Sequence, residues 1–373
     1  MKNKTGAASA MVKSQVNTRD NNFSIIRLTA TLFVFMGHMG EILGMQPPYL
    51  GGLPIYELGV MLLFLISGYL ITQSWLSDPH PLHFAIRRFF RLWPPFAVMI
   101  LIMVFVTGPF LSELGIQGYF DSWYKTYLDN LRFYIVYAQP GVFTDLPVAN
   151  ATNGSLWTMP VEAALYILTP LLLTVLKVKS RSQGSFRLTA VLAAVTVGFD
   201  LCLRTVFAGT KAVFYATDWV AAFHLITIYV IGMFYTYEEV RKYLNLQVGC
   251  VAMCLILFTQ IVFDPLQHLL FYLVFPYFVF SFIFAPKPLF EKFCRKTDLS
   301  YGIYLYGFFI QQLMVSWQQK NSVNLGYMGT FFASLLLTLG VSLLSWYLVE
   351  KPSQQIGRFL IRQLRKRENA KRC

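Results

Sequence analysis

Charge is scarce in this chain: Asp, Glu, Lys and Arg make up 13% of its 373 residues, about half the usage of a soluble domain. That is too little polar surface to coat two or three soluble domains, and disorder, coiled coil and a DNA-binding module are excluded with them. Cysteine is equally uninformative. Cys202, Cys250, Cys254, Cys294 and Cys373 are odd in number and lie in apolar segments, a short loop and the tail. They define no disulfide framework and no metal-ligand spacing; Cys250 and Cys254, one helical turn apart, read as packing. There is no internal repeat, and the polar N-terminus through Asn22 is not a signal peptide.

What is present is apolar: 56% hydrophobic and 17% aromatic residues, with a mean hydropathy of +0.52. Stretches of about 20 apolar residues, enough to cross a hydrocarbon core, recur from end to end. Ten are expected, at 23–44, 54–76, 95–114, 156–176, 187–207, 218–237, 246–263, 266–285, 299–318 and 327–349. The fold class is therefore an all-α polytopic membrane protein. The expected organisation is an N-terminal tail (1–22), a transmembrane domain (23–350) and a basic tail (351–373). Twenty-five of the 31 Lys and Arg fall on one side if the N-terminus is cytoplasmic, five fall on the other, and Arg27 lies in the first span. The positive-inside rule then puts both termini in the cytoplasm. The formal charge of +13 reflects topology and calls for no nucleic-acid partner.

Ionisable residues at bilayer depth cost about 2.5–3.5 kcal/mol each, so each is a candidate site residue. Eleven residues separate Arg27 from His38 in the first span. That spacing keeps them on one helix face with a rise of about 16 Å, and Glu41 follows three residues later on nearly the same stripe. Glu162 enters from the opposite side to a depth similar to that of His38, so the two are expected to form a base and its orienting partner, or a buried polar pair that locks helices. Arg87, Arg88 and Arg91, interleaved with aromatics in the second connection, either grip phosphates or anchor an interfacial helix on anionic lipid. His80 and His83, beside prolines, read as solvated. His224 and His268 read as satisfied structural groups, Asp200 as the partner of Arg204 one turn later, and Glu57 as facing the outer headgroups. Residues alone leave an enzyme and a secondary transporter, with His38 and Glu162 as a proton relay, on equal terms.

Six segments in order then resemble the integral-membrane acyltransferase-3 family of cell-surface O-acyltransferases. They are the Arg27-to-His38 spacing, Gly59-Val-Met-Leu-Leu-Phe-Leu-Ile-Ser-Gly-Tyr-Leu-Ile-Thr72 and Arg87-Arg-Phe-Phe-Arg-Leu-Trp-Pro-Pro95. Next come Asn153-Gly-Ser-Leu-Trp-Thr-Met-Pro-Val-Glu162, Asp298-Leu-Ser-Tyr-Gly-Ile-Tyr-Leu-Tyr306 and Ser345-Trp-Tyr-Leu-Val-Glu-Lys-Pro352. The resemblance implies transfer of an acyl group, usually acetyl, from cytoplasmic acetyl-CoA to a hydroxyl of an extracytoplasmic carbohydrate, in a bacterial inner membrane among its lipids and without a metal. It implies His38 and Glu162 as catalytic residues, with Arg27, Arg87, Arg88 and Arg91 on the acyl-CoA. Glu41, Asn153, Trp157, Tyr301 and Tyr304 are further candidates for the substrate. Met61 stands where many members carry Asp, and Gly307 follows Tyr306 where many carry His. Both departures bear on acceptor and acyl specificity.

Overall fold

The structure, a computed structural model, describes residues 22–175, 183–258, 264–285 and 297–370. It is almost entirely helical. The main helices are α1 (Phe23–Ile42), α2 (Ile55–Ser77), α3 (Pro81–Ile102), α4 (Met159–Val175), α5 (Gln183–Val206) and α6 (Trp219–Phe234). They continue with α7 (Leu246–Phe258), α8 (Asp264–Ile283), α9 (Ser300–Lys320), α10 (Gly326–Ser345) and α11 (Lys351–Ala370). Each of the ten apolar stretches carries a helix. Seven helical stretches among the described residues are long and apolar enough to cross a membrane, while α6 and α7 are apolar but shorter. The polar side chains of Gln311, Gln312, Gln318 and Gln319 lower the apolarity of α9. The basic stretches at 177–181 and 287–296 lie outside the described residues.

Local chemistry explains the joints. α1 and α2 are linked by a two-stranded hairpin, Tyr49–Leu50 against Leu53–Pro54. Its two-residue turn is Gly51-Gly52 at φ +61 and +81, the backbone that a type I′ hairpin loop requires. α2 is buried on most faces and crosses α6 at Gly68 and Gly232. A Cβ on either glycine would fall 2.0 Å from a carbonyl oxygen of the facing helix, so only glycine permits this approach.

The long connection after α3 is not a loop lying outside the bundle. α3 runs through a π turn, Met103–Thr107, to Leu111, and that turn is served by side chains from the connection. Tyr119 Oη donates to Val104 O at 3.0 Å, and Gln139 Nε2 donates to Met103 O at 3.1 Å. Gln312 on α9 donates in turn to Val148 O and Ala151 O at 2.7 and 2.9 Å. Carbonyls at membrane depth need such partners, and the result is a plug whose Tyr119, Tyr127, Asn130, Thr152 and Asn153 are wholly buried.

The basic tail is a helix rather than a free extension. A second π turn, Trp346–Glu350, carries α10 into α11. α11 packs along the first half of α3, where Ser353 Oγ donates to Phe90 O at 2.6 Å and Arg365 pairs with Asp78 at 2.8 Å.

Candidate active site

Aromatic and apolar residues of α2, α3 and α9 enclose a cavity of about 120 Å³ whose polar lining is Arg27, Ser67, Arg88, Arg91, Thr158, Glu162, Tyr166, Tyr229, Ser300, Tyr301 and Tyr304. Its cationic wall is fixed by one carboxylate. Asp298, just ahead of α9, lies 3.0 Å from Arg27 and 3.4 Å from Arg91, and it accepts from the backbone and hydroxyl of Ser300 at 3.3 and 2.5 Å. Burial pushes this carboxyl up, but the two guanidinium groups and Ser300 outweigh it and hold the group well below the usual carboxylate range.

The arginines of the second connection divide. Arg87 points away from the cavity: its Nη1 lies 2.5 Å from Asp78, and its Nη2 reaches Ser74 O and Asp78 O at 3.3 Å. It braces the turn between α2 and α3, and the expectation that it shares a donor surface with its neighbours is revised accordingly. The cause is its position in the helix, because residues 87 and 88 sit about 100° apart around α3. Arg88 enters the cavity. It donates to Ser74 Oγ at 3.0 Å and lies over the rings of Phe84 and Tyr166, while its buried Nε lacks a hydrogen-bond partner. Arg91 enters beside it.

Glu162 is in the first turn of α4, and Tyr166 Oη donates to it at 2.5 Å. It therefore faces the arginine cavity, and the hydrogen-bonded pair with His38 expected from matched depth does not form. The connection explains the difference. Gly154–Thr158 forms a 3-10 turn sunk into the bundle, so α4 starts deeper than an outer loop would place it. Asn153 caps this turn by accepting from Ser155 N–H at 3.2 Å and donates to Leu305 O at 2.7 Å. Its side chain is wholly buried, committed to holding the turn rather than facing a substrate. Trp157 packs partly buried against the core. Tyr304 Oη meets Thr158 Oγ1 at 2.5 Å and Ser155 O at 3.0 Å, and Tyr301 Oη donates to Leu92 O at 2.7 Å.

His38 lies farther along α1, stacked on Tyr56 with centroids 5.5 Å apart and meeting Phe308 edge-on at 5.2 Å. The carboxylate beside it is Glu41, with Oε2 3.5 Å from Nδ1. Phe308 is one turn beyond Tyr304 on α9, about 6 Å along the axis. The arginine cavity and the histidine are thus neighbours through a single turn of α9. Of the residues that the sequence singled out, Arg27, Arg88, Arg91 and Glu162 line the cavity and His38 lies beside it. Sequence spacing assigned no role to Tyr56, Tyr166, Tyr229 or Asp298, although Asp298 opens a quoted motif and its position before a helix was a readable signal.

A second polar cluster lies elsewhere. Asp200 on α5 is paired with Arg204 at 3.1 Å and with His224, and accepts from Tyr272 Oη at 2.5 Å. Arg204 also reaches His268 at 3.2 Å. The expected Asp200–Arg204 pair is present, and it belongs to a network that ties α5, α6 and α8 together.

The described chain is thus a bundle of apolar helices, seven of them long enough to cross a membrane, around a buried cationic cavity with a histidine beside it. The chain belongs to the acyltransferase-3 family: that family's acyltransferase domain matches residues 20–347, and the protein is an acyltransferase. It is 24% identical over 356 residues to an O-acetyl transferase of Shigella phage Sf6, covering 89% of this chain and 96% of the relative. It is 24% identical over 381 residues to nodulation protein 10 of Rhizobium leguminosarum bv. viciae, covering 91% and 95%. A match to the O-acetyltransferase OatA of Staphylococcus aureus (strain NCTC 8325 / PS 47) is 23% identical over 325 residues, covering 80% of this chain and 53% of that protein. No solved structure matches.

Proposed function

We propose that the protein moves an acetyl group from cytoplasmic acetyl-CoA to a hydroxyl of an extracytoplasmic carbohydrate, such as a surface polysaccharide or lipopolysaccharide, across a bacterial inner membrane that it crosses ten times with both ends inside. The observation that carries this reading is the juxtaposition of an arginine-lined cavity and His38 across one turn of α9. A donor with phosphates needs the first, and an acceptor hydroxyl needs the second.

Arg88, Arg91 and Arg27 hold the donor. Arg88 has an unsatisfied buried Nε, and planar guanidinium donors suit phosphate oxygens. About 120 Å³ has room for a small acyl end or several waters and not for a nucleotide, which stays at the mouth. To bring the thioester to His38, the side chains of Tyr304 and Phe308 give way. His38 then takes the proton of the acceptor hydroxyl while that oxygen attacks the thioester carbonyl. The carbon–sulfur bond breaks, and the thiolate leaves with the proton from the imidazolium. Glu41, 3.5 Å from Nδ1, orients the imidazole. Glu162 and Tyr166 complete the donor pocket opposite the arginines.

The test uses inverted membrane vesicles with acetyl-labelled donor supplied only on the exposed cytoplasmic face. Label appearing on lumenal carbohydrate as a hydroxylamine-labile ester supports the assignment. Donor-independent movement of carbohydrate, without ester formation, would replace it with transport.

A further inference from the structure

The turn between α2 and α3 carries a group that plays no part in the transfer. His80 caps α3 and His83 follows three residues later, so both rings share one side of its first turn. The rings stack with centroids 4.0 Å apart. Glu368, from the last turn of α11, places Oε1 3.3 Å from His80 Nε2 and 3.8 Å from His83 Nε2. One ligand atom from each of the three residues fits within 4.8 Å of the others. His83, read from sequence as solvated, is 2% exposed.

The chemistry of His83 is the informative part. Its Nδ1 lies 3.3 Å from Asp78 Oδ2, and its buried Nε2 has no hydrogen-bond partner. With Nδ1 turned to Asp78, Nε2 is the ring atom presented to the Glu368 carboxylate, at 3.8 Å. Nε2 and the Glu368 oxygen, 3.8 Å apart with no hydrogen bond between them, are placed to share one cation. We propose that His80 Nε2, His83 Nε2 and the Glu368 carboxylate form a site for a divalent transition metal, zinc in the first instance, which fastens α11 to the start of α3.

Zinc bound through nitrogen and oxygen at about 2.0–2.2 Å in a tetrahedron sets its ligand atoms roughly 3.4 Å apart. The two separations to Glu368 are already close to that, and His80, 40% exposed at its side chain, can swing to close the third. His80 Nδ1 now accepts from His83 N–H at 3.3 Å; metal binding moves the ring proton from Nε2 to Nδ1 and gives up that long bond. Water takes the fourth position. Asp78 supplies the carboxylate–histidine–metal relay that orients a ligating imidazole, and Arg87 and Arg365, at 2.5 and 2.8 Å, hold Asp78 in place. Arg88 and Arg91 project from the helix that this site would anchor.

The full chain, purified with a tag free of histidine and stripped by chelator, is titrated with zinc by calorimetry alongside His83→Ala and Glu368→Gln. The expected result is about one zinc per chain, with affinity at least tenfold weaker in each variant. Cobalt in place of zinc is expected to give the visible absorption of a tetrahedral site in the wild type alone. Glu368→Gln lies on a partly exposed helix end and preserves the fold if His83→Ala does not. Binding equally strong in wild type and Glu368→Gln, or no saturable binding, overturns the proposal.

Discussion

A methyl group at Gly154 tests how closely the donor pocket and the histidine are coupled. Its Cβ would stand 2.6 and 2.7 Å from two ring carbons of Phe308, where ordinary contact begins at 3.4 Å. The ring must therefore retreat by about 0.8 Å, the shortfall between those separations, and its centroid lies 5.2 Å from that of His38. A misplacement of about 1 Å at reacting groups costs on the order of 100-fold in rate. Gly154→Ala is expected to lower kcat by about that factor while the donor KM changes little, because no arginine moves. Steady-state acetyl transfer in reconstituted vesicles reads both constants. Phe308→Leu, which shortens the obstructing side chain, is expected to recover part of the lost rate in the double variant. Wild-type kcat in Gly154→Ala would refute the argument, as would a loss confined to donor KM.

The two neighbouring arginines separate cleanly: Arg88→Gln should raise the donor KM at least tenfold, whereas Arg87→Gln should lower the unfolding temperature through the lost Asp78 pair. Donor-binding titrations and thermal unfolding distinguish the two, and equal KM effects would contradict the division. Asp298→Asn leaves Arg27 and Arg91 facing each other without their carboxylate, so it should destabilise the fold and weaken donor binding together. Because the native Asp298 carboxyl sits below its unfolded value, the wild-type advantage over Asp298→Asn should be full above about pH 4 and fade only as pH falls further. An advantage that vanished between pH 8 and 6 would point to a different group. Glu41→Gln should lower kcat with little change in donor KM, because Glu41 sits against His38. Glu162→Gln should act on donor KM, and the reverse pattern would restore the Glu162–His38 pairing.

Much of this architecture was readable from the chain because membrane helices announce themselves by length and apolarity. Every expected span carries a helix, and the Arg27-to-His38 stripe follows from helical period alone. Glu162 does not meet His38 for a physical reason. Depth was counted from an assumed outer surface, whereas Gln139, Tyr119 and Gln312 draw the connecting segment into the bundle. Such side-chain-to-backbone bonds have no periodicity and leave no pattern in sequence. Arg87 and Arg88 are likewise adjacent in a motif yet differ in partner, since 100° of helix rotation gives Arg87 to Asp78 and Arg88 to the cavity. His83 reads as solvated because prolines flank it, yet Glu368 of α11, 285 residues later, packs over it.

The most direct measurement of the central claim uses purified wild type and His38→Ala in lipid with acetyl-CoA labelled on the acetyl group and a carbohydrate acceptor. The account predicts labelled ester and free thiol in equal amounts from the wild type, with transfer reduced by 10²–10⁴-fold in His38→Ala and donor binding retained. Undiminished transfer by His38→Ala would contradict it.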